Sequence, residues 1–232
     1  MNFVFDLYGT LVDIKTDESK PAFWQKVAEY LGDGAENAES VRSEYLSLCA
    51  SEKKGEFHEI NLAIVFEKML INRGKNADGA PAFAGKFREL SREKLKCFRY
   101  AKSILKGLKE LGCGVYLVSN AQACFTLAEL DKCGLTELFD GILISSEVGV
   151  KKPCRDIFEI AFKKFGISKE NSIYVGNDLR DDILGASGAG MRSAYIHTEQ
   201  SGSYGDDMPT PTYTARNHSE LMKRLFSLAK EG

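Results

Sequence analysis

The chain has 232 residues, 44% hydrophobic and 28% charged. This is ordinary globular composition, enough for one large domain or for a core with an inserted unit. A formal net charge of -2 gives no global bias toward nucleic acid or membrane, and no apolar run approaches the roughly 18 residues of a membrane span. The six cysteines form no CxxC pair, which sets aside a zinc site and favours free thiols in a reducing cytoplasm, and no signal peptide is expected.

Phe3 to Phe5 reads as a short buried strand that ends in Asp6. Open α/β sheets bind their ligands beyond the carboxyl ends of such strands. The following loop reads Leu7-Tyr8-Gly9-Thr10-Leu11. Residues 14 to about 98 show helical periodicity and no strong strand signal. After Pro21, a plausible helix opener, Phe23, Val27, Tyr30 and Leu31 repeat at helical spacing. Tyr45, Leu48 and Cys49 follow, then Ile60, Ile64, Val65, Met69 and Leu70, then Phe83, Phe87, Leu90 and Leu95. Glycines at 32, 34, 55, 74 and 79 separate these pieces, so about four helices are expected.

From about residue 100 the pattern alternates. A helix stops near Gly112, Val115 to Val118 is a strand, and a helix runs to Gly134. Ile142 to Ile144 is a strand, Ile157 to Phe165 a helix ended by Gly166, and Ser172 to Val175 a strand. Asp182 to Gly188 reads as a helix, Ser193 to Ile196 as a strand, and Asn217 or Ser219 caps a last helix. The alternation predicts an α/β fold, a doubly wound parallel sheet with helices on both faces. A Rossmann-like core of residues 1–13 and 99–232 would then carry an inserted helical cap, 14–98, beside the carboxyl edge.

Four loops after strands carry polar residues. They hold Asp6 and Thr10; Ser119 and Asn120; Lys151, Lys152 and Pro153; and the run Gly176-Asn177-Asp178-Leu179-Arg180-Asp181-Asp182. Each has an ordinary explanation alone, as a turn residue, a helix cap or a solvated lysine. Their ordered recurrence, one set per strand, is the informative feature.

That set resembles the haloacid dehalogenase superfamily of hydrolases over nearly the whole chain. Asp6-Leu7-Tyr8-Gly9-Thr10-Leu11 is similar to the nucleophile motif, Ser119 to the second, Lys152 before Pro153 to the third, and Asp178 with Asp182 to the fourth. The resemblance implies that Asp6 attacks the substrate and forms a covalent intermediate. It implies that Thr10 and Ser119, with Asn120 beside them, hold the transferring group and that Lys152 offsets negative charge. It also implies Mg²⁺ bound by Asp6, the Tyr8 carbonyl and Asp178 or Asp182. The position before proline favours Lys152 over Lys151 as the active-site lysine.

Tyr8 departs from the phosphatase pattern, which has a second acid there. Tyrosine at this position is what the family's dehalogenases carry, and their halide needs no proton. The acidic fourth motif is that of the phosphatases. The favoured expectation is therefore a Mg²⁺-dependent phosphatase of a small phosphorylated metabolite, a soluble enzyme with no nucleic-acid or membrane partner. A metal-independent 2-haloacid dehalogenase and a degenerate binding protein are the alternatives. A dehalogenase also needs arginines in the helical segment for its carboxylate and halide, and Arg42, Arg73 and Arg88 are available there.

Overall fold

The computed structural model describes residues 1–205 and 207–231. Six parallel strands form one sheet in the order β5-β4-β1-β6-β7-β8. They are β1 (Asn2–Phe5), β4 (Gly114–Ser119), β5 (Gly141–Ile144), β6 (Ser172–Gly176), β7 (Arg192–Ile196) and β8 (Tyr213–Ala215). Side chains along the central strands alternate between two apolar layers, as the period of two requires. Phe3, Phe5, Val115, Leu117, Ile173 and Val175 face one layer; Val4, Val118 and Tyr174 face the other. The first layer is closed by α5 (Ala101–Glu110) and α10 (His218–Glu231), the second by α8 (Arg155–Phe165) and α9 (Gly185–Gly188). Helices thus cover both faces, the doubly wound arrangement the alternation predicts.

β1 lies between β4 and β6. The chain runs outward from β1 through β4 to β5 on one side and through β6 to β8 on the other. The carboxyl ends of β1, β4 and β6 therefore open at the topological switch point, where such sheets leave a crevice.

Between β1 and β4 the chain builds a second apolar core. α1 (Pro21–Leu31), α2 (Ala38–Glu52), α3 (Leu62–Ile71) and α4 (Ala80–Ser91) pack around Phe23, Trp24, Phe66, Phe83 and Phe87. The rings meet largely edge to face, with centroids 4.9 Å apart for Phe23–Phe87 and for Phe66–Phe83. Phe125 of α6 (Ala123–Cys133), the helix after β4, joins this cluster.

Two strands not foreseen from the sequence flank these helices. β2 (Val12–Thr16) pairs antiparallel with β3 (Arg92–Cys97), and Asp17 N–H donates to the Ser91 carbonyl at 2.8 Å. Leu95, read from its spacing as part of the fourth helix, belongs to β3 because α4 ends at Ser91. The strands are short and half-exposed, and Asp13, Lys15, Lys94 and Lys96 mask their apolar periodicity. β8, a three-residue edge strand, and α7 (Ser145–Val148) were likewise not expected. The helix expected over 182–188 is a π-helical turn, Leu179–Leu184, running into α9. Among the described residues no helix is long and apolar enough to cross a membrane.

Phe66 is fully buried at the centre of the four-helix core. Phe66→Ala is expected to destabilise the protein by roughly 3–5 kcal/mol. Urea unfolding followed through Trp24, the sole tryptophan, checks this.

Candidate active site

Asp6 stands one residue beyond β1, its N–H bonded to the Val175 carbonyl at 2.9 Å. The loop then turns sharply, with the Leu7 carbonyl accepting from the N–H groups of residues 10, 11 and 12. Gly9 has φ +87, and a Cβ there would collide with the Asn177 side chain. Only glycine satisfies both conditions. Thr10 is thereby turned back on Asp6: its hydroxyl lies 3.0 Å from Asn177 Oδ1 and 3.2 Å from Asp6 Oδ2, two acceptors for its one proton.

Lys152, 2% exposed, reaches this site from the loop after β5. Its ammonium donates to Asp182 Oδ1 at 2.6 Å, to the Tyr174 hydroxyl at 2.7 Å and to Asp6 Oδ1 at 2.9 Å. Ser119, the last residue of β4, lies 3.4 Å from Asp6 Oδ1. Asn120 clamps the Lys152 backbone, accepting from its N–H at 2.8 Å and donating to its carbonyl at 3.0 Å. It also donates to Asp181 Oδ2 at 3.0 Å. Lys151 is half-buried on the far side of this loop, where its N–H meets the Phe57 carbonyl.

The acidic loop after β6 divides its labour. Asp178 caps the π-helical turn, Oδ1 accepting from the N–H groups of Arg180 and Asp181 at 2.9 and 2.7 Å. Its Oδ2 accepts from the Tyr204 hydroxyl at 2.6 Å. Asp182 is turned inward; Oδ1 is held by Lys152 and Oδ2 by the Asp178 N–H at 2.9 Å. Gly176 leaves room for it, since a Cβ there would overlap the Asp182 carboxyl.

Burial pushes the Asp182 carboxyl up to about 7, against the pull of Lys152 and with the push of Asp6. Burial also opposes the Lys152 charge, yet Asp182 and Asp6 together hold its pKa well above the ordinary lysine value. The same contact thus favours the ammonium while failing to keep Asp182 low. One cation faces two anions, so Lys152 feels both charges and each carboxylate only a share of one. Desolvation then prevails at Asp182, which is 1% exposed.

These groups open into a cleft of about 160 Å³, lined by Asp6, Tyr8, Lys152, Asp178, Asp181 and Asp182, among others. It presents four carboxylates and one ammonium. Burial, and next the nearby Asp178 charge against the pull of Lys152, push the Asp181 carboxyl upward as well. Among the described residues no three acid, imidazole or thiol groups converge as a closed metal cage. The donors instead suit an ion that keeps water: Asp6 Oδ2, Asp178 and the Tyr8 carbonyl, which accepts no hydrogen bond among the described residues. Mg²⁺ dehydrates reluctantly and binds in this partial manner.

The Tyr8 side chain turns toward α6. Its hydroxyl donates to Glu129 Oε2 at 2.5 Å and lies 3.1 Å from Thr126 Oγ1. Burial, then the Glu129 charge, pushes this phenol well above its usual pKa. Arg88 of α4 grips Glu129 through Nε and Nη2 at 2.8 and 3.3 Å, and Arg92 adds a contact at 3.4 Å. Arg88 is the one of the three arginines singled out from the helical segment that lines the space beside Tyr8. Arg42 pairs with Glu39, and Arg73 with Asp33 and Glu44.

The sequence reading did not single out Asn177, Tyr174 or Glu129 for a role. Asn177 lies inside a run already marked as functional, so its buried side chain was within reach. Tyr174 reads as a core aromatic and Glu129 as a helix-surface acid, and nothing local marks either.

A family model described as haloacid dehalogenase-like hydrolase matches residues 1–190. The chain is 36% identical over 105 residues to a glyceraldehyde 3-phosphate phosphatase of Methanothermobacter thermautotrophicus, covering 45% of this chain and 46% of that protein. It is 30% identical over 133 residues to a phosphoserine phosphatase of Thermus thermophilus, covering 56% and 53%. The chain therefore spans about half the length of the curated relatives it matches. In fold it is similar to a 2-haloacid dehalogenase from Pseudomonas syringae pv. Tomato, with TM-score 0.68 at 20% identity and 98% and 99% of the two chains covered. A HAD phosphatase from Thermococcus onnurineus gives TM-score 0.62 at 20% identity, with 97% of each chain covered.

Removing the buried cation tests the electrostatics of the site. Lys152→Met leaves Asp6 and Asp182 facing each other without a counter-charge, a loss of about 3–5 kcal/mol. The Asp182 carboxyl, already raised by burial, is then easier still to protonate folded than unfolded. Relative to the wild type, the variant should lose stability as pH rises from about 4 toward 8. Urea midpoints of both proteins across that range check the slope; parallel curves would contradict it.

Proposed function

Because the chain belongs to the haloacid dehalogenase-like hydrolases, we propose that it is a Mg²⁺-dependent phosphatase of a small phosphorylated metabolite. One observation carries this reading: the cleft beside Asp6 holds four carboxylates and a single ammonium. A phosphate dianion entering that cleft unaided meets net repulsion, and so does the carboxylate of a haloacid. A divalent cation reverses the local field. The phosphatases among the relatives support the same choice.

In this reading Asp6, the Tyr8 carbonyl and Asp178 hold the ion, with water completing its shell. Asp182, buried and bonded to the Lys152 ammonium, serves Lys152 instead, whereas Asp178 Oδ2 is held only by the exposed Tyr204 hydroxyl, which a bound ion would replace. The bound ion would offset charge on the phosphoryl group. Asp6 attacks phosphorus and becomes the phosphorylated residue. Lys152 holds Asp6 Oδ1 and so orients the carboxylate for attack. The Thr10 and Ser119 hydroxyls, now turned on Asp6, are placed to donate to phosphoryl oxygens, and Asn120 holds Lys152 in register. The helical unit, residues 14–98, acts as the cap that sets substrate choice. The six free cysteines fit work in a reducing cytoplasm, and neither nucleic acid nor membrane is part of the reaction.

The dehalogenase reading has tyrosine at position 8 as its own observation. A panel of phosphomonoesters and 2-haloacids, each run with Mg²⁺ and with excess chelator, separates the two. Phosphate release that needs Mg²⁺, and falls by on the order of 10⁴-fold in Asp6→Asn, is the expected result. Halide release that persists in chelator would transfer the protein to the dehalogenases.

A further inference from the structure

We propose that Glu18 is the general acid and base of this reaction, replacing the carboxyl that position 8 lacks; the proposal rests on the phosphatase reading. The need is concrete. The Tyr8 phenol is bound to Glu129 and Thr126, and Glu129 is gripped by Arg88 and Arg92. Asp182 and Asp178 are held by Lys152, backbone N–H groups and Tyr204. None of these offers an unengaged carboxyl to a leaving group, and Asp181, tied to Asn120 through Oδ2, lines the cleft but not the cavity beside Tyr8.

A second cavity, of about 330 Å³, adjoins the catalytic cleft and shares Tyr8 and Asn120 as a common wall. Glu18 is its one carboxylate among the described residues. It stands between β2 and α1, where the chain enters the helical unit. Its backbone is pinned, since Trp24 Nε1 donates to the Glu18 carbonyl at 2.8 Å and the preceding Asp17 N–H is tied to Ser91. Its neighbours are committed elsewhere: Asp17 accepts from Ser19 and pairs with Lys20, and Lys20 also pairs with Glu93. The Glu18 carboxylate makes no hydrogen bond or ion pair among the described residues, although the side chain is partly buried. The other titratable or charged groups lining the cavity are Tyr8, Tyr45 and Arg88. Arg88 is neutralised by Glu129. The Tyr45 phenol is pushed up first by burial and then by Cys49, and it also feels the Glu18 charge. Glu18 is thus a carboxyl with a pinned backbone and no partner among the described residues, lining the cavity that adjoins the catalytic cleft at Tyr8.

The step balances. An Asp6 oxygen bonds to phosphorus, the ester P–O bond breaks, and the departing oxygen takes the proton of the Glu18 carboxyl. Glu18, now a carboxylate, accepts a proton from water as the water oxygen bonds to phosphorus. The Asp6–phosphorus link breaks, inorganic phosphate leaves, and both side chains return to their starting states.

The test uses the full chain and p-nitrophenyl phosphate with Mg²⁺. Nitrophenolate departs without a proton, so Glu18→Gln should still give a burst of about one nitrophenolate per site. Steady-state turnover should fall by roughly 10²-fold or more, because water is no longer activated, and acid quenching should trap phosphorylated Asp6. The limb of the wild-type pH profile due to this group should disappear. Formate should partly restore turnover in Glu18→Ala, which a structural role would not produce; circular dichroism and Trp24 emission check that both variants are folded. Wild-type turnover and pH profile in a folded Glu18→Gln, with no phosphorylated Asp6 accumulating, would overturn the assignment and leave the phosphatase reading standing. A wild-type protein inert toward nitrophenyl phosphate would overturn both.

Discussion

The Lys152 ammonium bonds to three side chains from separate parts of the chain: Asp6 after β1, Tyr174 within β6 and Asp182 in the turn beyond β6. Tyr174 in turn donates to the Val118 carbonyl of β4 at 2.8 Å. One charge therefore ties the ends of β1, β4 and β6 to the loop after β5. A buried ammonium is tolerated only when its donors are all matched. The neighbouring features serve that matching. Asn120 fixes the lysine backbone, Gly176 admits the Asp182 carboxyl, and Gly9 folds Thr10 back so that Asp6 is held on its other oxygen. The arrangement also fixes the orientation of the Asp6 carboxylate, the preorganisation that the proposed attack requires.

The second organising contact lies one step outward, at Glu129. This buried acid receives Tyr8 from the nucleophile loop, Arg88 from α4 and Arg92 from β3. It joins the sheet, α6 and the helical unit across the mouth of the site. Further links run alongside: the Phe57 carbonyl accepts from the Lys151 N–H, and Glu59 accepts from Ser145 and Gln122. Tyr8 beside the cleft and Arg88 of α4 therefore share one buried partner, Glu129.

Much of the sheet was legible because its strands obey simple rules. Val115–Val118 and Ser172–Val175 are apolar runs bounded by polar residues, and Gly134 and Gly166 end their helices in left-handed conformations. The polar loops could be placed at one edge because parallel strands all end there. The β2–β3 ribbon escaped notice because its alternation is diluted by lysines and an aspartate, and Leu95 happens to continue a helical spacing. Asp182 looked equivalent to Asp178 at a spacing of four, yet the π-helical turn aims one carboxyl inward and the other outward. Glu129 and Glu18 carry no local signature at all. Their importance comes from residues distant in the sequence, which only folding brings beside Tyr8.

The central claim is that Asp6, held by Lys152, accepts a phosphoryl group. It is tested most directly by a rapid acid quench of the protein turning over a ³²P-labelled acyl phosphate with Mg²⁺, followed by peptide mapping. The account predicts label on the peptide bearing Asp6, in an acyl linkage that hydroxylamine releases and that Asp6→Asn lacks. Rapid turnover with no labelled peptide, or label that survives in Asp6→Asn, would contradict it.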